Sequence, residues 1–351
     1  MKPLIPLLLI LAPGLILSSC SKDSGGGNTT IVHPPYTGPY LYVGGTMNSK
    51  GVYWKIGLSD PGTSAGWDTL ANSSNITSIV TSGKDVYMAG QAGGYWKNDT
   101  FVAIQGANDI QYLTLSGNTV YAAGFNSTQD IAWWGGQAQT DLQNTIGRDR
   151  FPDQSFSSYG FTGICVSGSN VYLSGLLSFQ NEPGTPDSAL SGDFGLLWKN
   201  GNLTLLGTGQ EVSFDYQSTS GIGLLGNDLY IAGRLTDTSH AGGYWKNGVW
   251  NPINNGFFLP SSLTIAGSDV YIPGATYTRA PSYLQQAVYW KNGSLVTLSG
   301  VLTSAVVVNG SDLYVLGVNN IGDIMVWKNG ALFKTLGSAS KMTATCMAIG
   351  N

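Results

Sequence analysis

The sequence predicts an all-β protein: a seven-bladed β-propeller of four-stranded antiparallel blades, with blade one closed by the C-terminal strand. Three observations carry this. A phrase of the form VYxxG recurs seven times, with its tyrosine at Tyr42, Tyr87, Tyr121, Tyr172, Tyr230, Tyr271 and Tyr314. Each copy is answered by a tryptophan, Trp54, Trp96, Trp134, Trp198, Trp245, Trp290 or Trp327, and usually by Lys-Asn-Gly after it. The chain ends also complement each other: residues 343–351 match the strand and turn that precede the phrase elsewhere, while residues 39–44 are the phrase without that strand. Short alternating apolar runs repeating at about 45 residues, separated by Gly and Asn turns, are the mark of a propeller blade.

Each element of a repeat has its own signature. The first strand ends at Gly83, Gly117, Gly168, Gly226, Gly267, Gly310 or Gly350 and alternates bulky residues (Leu113 and Leu115, Ile164 and Val166) with small ones (Gly163, Gly221, Ser262), as suits the crowded strand nearest an axis. A tight turn such as Gly-Lys-Asp or Gly-Asn-Asp leads into the tyrosine strand, so Asp85, Asp228, Asp269 and Asp312 read as turn residues. A Tyr-Trp pair marks the third strand, and Lys-Asn-Gly turns the chain into a fourth apolar strand such as 203–205 or 295–298. Because the Tyr and Trp ladders occur in every repeat, they are expected to pack blade against blade. Cys165 and Cys346 fall at equivalent first-strand positions of different blades, which predicts free buried thiols.

Ahead of the repeats, residues 1–19 read as a secretion signal: Lys2, an apolar run from Leu4 to Leu17, then Leu17-Ser18-Ser19-Cys20. Cys20 resembles the lipidated cysteine of a bacterial lipobox, which implies acylation there and a stable membrane anchor. Residues 20–38 form a Gly-, Ser-, Thr- and Pro-rich tether, leaving 39–351 for the propeller. Charged residues are only 10% of the chain and the net charge is −4, which gives no support to nucleic-acid binding. A monomer is expected.

Four strands per blade put the first-to-second and third-to-fourth turns on one face of the disc, where they are short and nearly uniform. The other face receives segments of varied length: 137–160, 176–192, 207–219 and 276–286. Variable loops on a repeating scaffold are where function is expected. All four arginines, Arg148, Arg150, Arg234 and Arg279, map to this variable face, with Phe151, Tyr277, Tyr283, Glu182, Glu211 and Asp215 as companions. Arginine offers a planar fork for carboxylates and sulfates, whereas Lys97, Lys199, Lys246, Lys291 and Lys328 occupy the uniform turns and are expected mainly to be solvated.

The phrases DVYMAG with GYWKND, NDLYIAG with GYWKNG, and SDVYIPG with VYWKNG resemble a repeat of Bacteroidetes lipoproteins over the whole region after the tether. Ser21-Lys22-Asp23 is similar to the short charged signal that follows the lipid cysteine in surface lipoproteins of that group. The resemblance implies an outer-membrane, surface-exposed propeller and no particular reaction; a periplasm-facing position is the alternative. Gly44-Gly45 gives a looser, kelch-like likeness.

Enzymatic readings find little to build on. His33 lies in the tether and His240 stands alone, so neither a histidine metal site nor a Ser/His/Asp triad is assembled, and no cofactor motif occurs. The expected function is therefore binding of an extracellular glycan or protein through the variable face. One alternative is a glycoside hydrolase or lyase acting on acidic sugars with a carboxylate pair drawn from Asp149, Asp153, Glu182, Asp187, Glu211 and Asp215. A structural envelope component is a further alternative.

Overall fold

The computed structural model describes residues 38–59, 66–142, 155–180, 192–206, 212–213, 221–235, 242–253, 257–278 and 284–351. The propeller lies in the unit Tyr36–Asn351, and every regular element among the described residues is a strand. Seven antiparallel sheets form, one per repeat, each ordered inner, second, third, outer. Blade three is representative: Ala107–Ser116, Thr119–Asn126, Ile131–Gly135 and Ala138–Asp141. Around the axis each inner strand packs on the next, and the last, Leu302–Asn309, packs on Met342–Gly350 to complete the ring.

Blade one is assembled from both chain ends. Tyr40–Met47 pairs with Met342–Gly350 along its whole length, from Tyr40 opposite Gly350 to Met47 opposite Met342. The ring thus has no unpaired blade edge at the junction.

Between every two neighbouring blades lies one apolar core, and each brings the phrase tyrosine of one blade to the tryptophan of the next. Tyr42 meets Trp96, Tyr87 meets Trp134, Tyr121 meets Trp198, Tyr172 meets Trp245, Tyr230 meets Trp290 and Tyr271 meets Trp327. Tyr314 shares the seventh core with Trp54, which joins the last blade to the first. All seven tryptophans are buried. Burying roughly 150–250 Å² of aromatic surface favours folding by about 4–6 kcal/mol per side chain. The two ladders therefore do what their regular occurrence predicts.

The glycine of the phrase has a specific cause. Inner strands are bulged at Thr345, Gln111, Thr162 and Ser304, each between the partners of the phrase glycine and of the residue before it. The bulge swings a carbonyl across the second strand, so that a Cβ on Gly45 would overlap the carbonyl of Thr343 and one on Gly124 the carbonyl of Asp109. In blades five and six the inner strand is divided, into Val212–Ser213 with Ile222–Leu225 and Phe257–Pro260 with Thr264–Ala266. Those two sheets consequently have five strands where four are expected.

Hydroxyl groups staple the inner strands together. Thr345 donates to the Ile76 carbonyl (2.9 Å), Thr77 to that of Gln111 (2.7 Å) and Thr264 to that of Val306 (2.8 Å), each from one blade to the next. An inner strand has one edge without a strand partner, and these hydroxyls satisfy part of it.

Candidate functional site

The two faces differ in how their charges are used. On the uniform face, Lys-Asn-Gly is a two-residue turn with both central residues at positive φ: Asn247 at 52° and Gly248 at 82°, for example. Cross-strand register sets Lys97, Lys199, Lys246, Lys291 and Lys328 opposite the phrase tyrosines, with each ammonium 5.1–5.5 Å from the ring centre. Four of them also pair with the aspartate two residues before that tyrosine, Lys97 with Asp85, Lys246 with Asp228 and Lys328 with Asp312 at 2.7 Å, and Lys291 with Asp269 at 2.8 Å. The turn asparagine completes the arrangement. In blade five the Asn247 amide donates to Asp228 (2.8 Å), and its oxygen accepts from the Leu229 N–H (2.8 Å). Four of these lysines are thus engaged with a carboxylate and a ring, and Lys199 with a ring alone, while the four paired side chains stay partly exposed to solvent, so the expectation that they are solvated holds alongside pairing it did not include.

The lysine ammonium, through its hydrogen bond, holds Asp85, Asp228, Asp269 and Asp312 below the ordinary carboxylate range, and each carboxylate in turn raises its lysine. A depressed carboxylate contributes stability above its unfolded value, about pH 4, and that contribution is lost as pH falls through the lower folded value. Raised lysines contribute below about pH 10.4 and lose their share as pH rises through the folded value. Urea midpoints are expected to hold level between these limits and to fall on the acid side. Replacing the four aspartates with asparagine should flatten that acid limb; an unchanged limb would show that the pairs do not govern it.

On the variable face, charges are left over. Arg234 is next to last in the second strand of blade five, between Ser213 and Gly242, half-buried, and its Nε is buried with no hydrogen-bond partner among the described residues. Tyr277 ends the second strand of blade six, half-buried, and its hydroxyl accepts from Gln285 Nε2 (2.7 Å). The other proposed contacts, Arg148, Arg150, Phe151, Glu182, Glu211, Asp215, Arg279 and Tyr283, lie outside the described residues, as do Cys20, His33 and His240. Parts of the expected loops are strand: Ser155–Ser167 and Asn170–Gln180 extend blade four on this face through register pairs from Ser155 opposite Gln180 inward. Alternating Ser, Phe and Tyr in 155–161 and Leu and Phe in 176–179 suit a strand.

A residue that the sequence reading passed over joins them. Asp109 sits near the start of the inner strand of blade three, hence at the variable face and beside the axis. Its Oδ2 accepts from Gln111 Nε2 (3.1 Å), while Oδ1 is buried with no partner among the described residues. Burial pushes its carboxyl above the ordinary range, against the smaller lowering by Gln111. Aligning repeats on the phrase glycine puts Asp109 level with Thr343, Gly160, Leu259 and Leu302. It is the charged member of that set, which is the signal that could have found it.

No group of three or more His, Cys, Asp and Glu side chains gathers among the described residues. Cys165 and Cys346 are free, as expected, and burial pushes both thiols up to about 12. Such thiols stay protonated and unreactive at neutral pH.

No protein-family model and no curated protein matches the sequence. Among solved structures, the β-propeller domain of the Trilobed protease from Pyrococcus furiosus, described as having an open velcro topology, is similar with a TM-score of 0.51 and 9% identity, over 86% of this chain and 95% of that one. The acylaminoacyl peptidase of Pyrococcus horikoshii is similar with a TM-score of 0.50 and 10% identity, over 87% of this chain. The match spans about half of that peptidase, 51% of its length. At such identities the likeness concerns the fold alone, and with the seven sheets, their cores and the two-ended closure it makes this chain a seven-bladed β-propeller.

Proposed function

We propose that this propeller is a recognition module, held at the outer membrane by lipid on Cys20, which binds an anionic extracellular glycan across its variable face. One observation carries the reading: the repeated aspartates of the uniform face are consumed by lysine and asparagine, whereas Asp109 and Arg234 on the other face keep buried polar atoms without partners. Buried polar atoms without a hydrogen bond also occur at Trp54 and Trp198 in the inter-blade cores, but at Asp109 and Arg234 the atom belongs to a charged side chain at the variable face, where an unpaired atom costs most and an incoming partner would relieve it. Arg234 suits a carboxylate or sulfate, and Asp109 suits sugar hydroxyls. Tyr277 offers a ring for stacking.

The test is a glycan array probed with the unit Tyr36–Asn351, then titration of the best ligand into variants. Arg234→Met should weaken an acidic glycan by about tenfold or more, the effect of losing a charged hydrogen bond. Asp109→Asn should weaken binding while raising the melting temperature at neutral pH. Because the folded carboxyl is raised, its ionisation penalty is full above the folded value and vanishes below about pH 4, so the gain in stability should vanish there too. Array signal unchanged in both variants would refute the assignment, and a protein ligand in place of a glycan would appear as a blank array.

The raised carboxyl of Asp109 is also the property of a general acid, which gives hydrolysis of an acidic sugar a specific footing. Release of free sugar that stops in Asp109→Asn would favour that reading over binding alone.

A further inference from the structure

The uniform face departs from its repeat at three positions that converge between blades one and two. Where four blades place aspartate two residues before the phrase tyrosine, blade one has Tyr40. Where five have Lys-Asn, it has Lys55-Ile56, inside a strand that continues to Gly57. In blade two the turn is Lys-Asn-Asp, and Asp99 takes a φ of 66° at the position filled by Gly201, Gly248, Gly293 and Gly330 in the other copies. Glycine takes this conformation without cost and aspartate at a modest one, so the exchange puts a carboxylate where the other copies have none.

These departures border a cleft of about 260 Å³ lined by Lys55, Lys84, Asn98, Asp99, Tyr53 and Trp96. Lys55 holds its ammonium 4.2 Å from the Tyr40 ring and 5.6 Å from that of Tyr42. Neither Lys55 nor Lys84 has a carboxylate partner among the described residues, unlike Lys97, Lys246, Lys291 and Lys328 on the same face. Tyr53 donates to Asp99 Oδ1 (2.9 Å), which fixes the carboxylate at the cleft wall. Burial raises both phenols, Tyr42 to about 12, so they stay protonated at any ordinary pH.

We propose that this cleft binds glycerol phosphate chemistry, free or as a lipid headgroup, with Lys55 and Lys84 taking the phosphate and Asp99 taking a hydroxyl. Two separate ammonium groups act as point charges on a phosphate, whereas a carboxylate is better matched by an arginine fork. At about 260 Å³ the cleft has room for a small polar molecule such as glycerol phosphate. The Asp99 carboxylate, held by Tyr53, suits a ligand hydroxyl as acceptor. The inference is independent of the variable-face reading, since the two sites lie on opposite faces.

The test uses the unit Tyr36–Asn351, which contains all seven described cores. Glycerol phosphate is titrated and followed by NMR, and, separately, sedimentation is measured with vesicles of phosphatidylglycerol against phosphatidylcholine. Binding by the parent that drops at least tenfold in the Lys55→Met, Lys84→Met double variant, and is unchanged in a Lys246→Met, Lys291→Met control remote from the cleft, supports the site. Lysine-dependent binding of glycerol phosphate alone assigns the free molecule; lysine-dependent sedimentation with phosphatidylglycerol assigns the headgroup. Melting curves of both double variants confirm that each is folded. No binding in either arm up to about 10 mM, or equal loss in the control, overturns the proposal.

Discussion

Removal of residues 342–351 is expected to abolish cooperative unfolding, although it takes away only one strand. That strand is the inner strand of blade one, paired along its length with Tyr40–Met47 and packed between the inner strands of blades seven and two. Met347 belongs to the core between blades seven and one, and Ala348 to the core between blades one and two. Truncation therefore opens two cores, bares one edge of the second strand and removes the Thr345 staple to Ile76. Exposed apolar area of a few hundred Å² costs on the order of 5–10 kcal/mol, comparable with the whole stability of a typical domain at about 5–15 kcal/mol. Urea titration followed by tryptophan fluorescence should show a broad, early change in place of one sharp transition. A synthetic peptide of residues 342–351 should restore the transition, because an open edge accepts an added strand. A truncated chain with the parent's midpoint would mean that closure at blade one contributes little.

The same strand shows why so much of the fold could be read from the chain. Closure is written as a missing first strand at Tyr40 and a surplus one at Gly350, and the inter-blade cores are written as one tyrosine and one tryptophan per period. Repetition turns weak local signals into strong ones, because a residue needed by packing must recur at every interface. What recurrence cannot convey is how two recurring residues meet. Asp228 and Lys246 each recur, but their pairing depends on the register that sets Tyr230 opposite Lys246, so they looked like separate turn residues. Function follows the opposite logic, since it lives in the exceptions. Tyr40 and Asp99 are exceptions to the repeated phrases themselves, whereas Asp109 shows only once copies are aligned through an inner-strand bulge that shifts the count by one residue. Of the residues chosen for their place on the variable face, Arg234 is next to last in the second strand of blade five and Tyr277 is last in that of blade six, while most of the others lie outside the described residues.

Two glycines of blade three should respond very differently to the same substitution, and the contrast tests the link between fold and site. Gly117 has a φ of 58° and open space around it, so Gly117→Ala should cost only the strain of a left-handed backbone, about 1 kcal/mol. Gly124 has no such strain, but a methyl group there would overlap the carbonyl of Asp109 and press on the Ile110 Cα at 3.0 Å. Backbone atoms in a bulged, buried pair have little room to give, so Gly124→Ala should cost about 3 kcal/mol, the upper part of the range for overfilling packed space. The displaced strand is the one that carries Asp109 at the variable face. Gly124→Ala is therefore expected to weaken glycan binding as well, under conditions where the protein is still folded, while Gly117→Ala at the opposite face leaves binding intact. Similar stability losses for the two would mean that the glycine of the phrase serves backbone freedom rather than clearance for the bulge. In that case the position of Asp109 would need a cause other than the strand crossing that Gly124 permits.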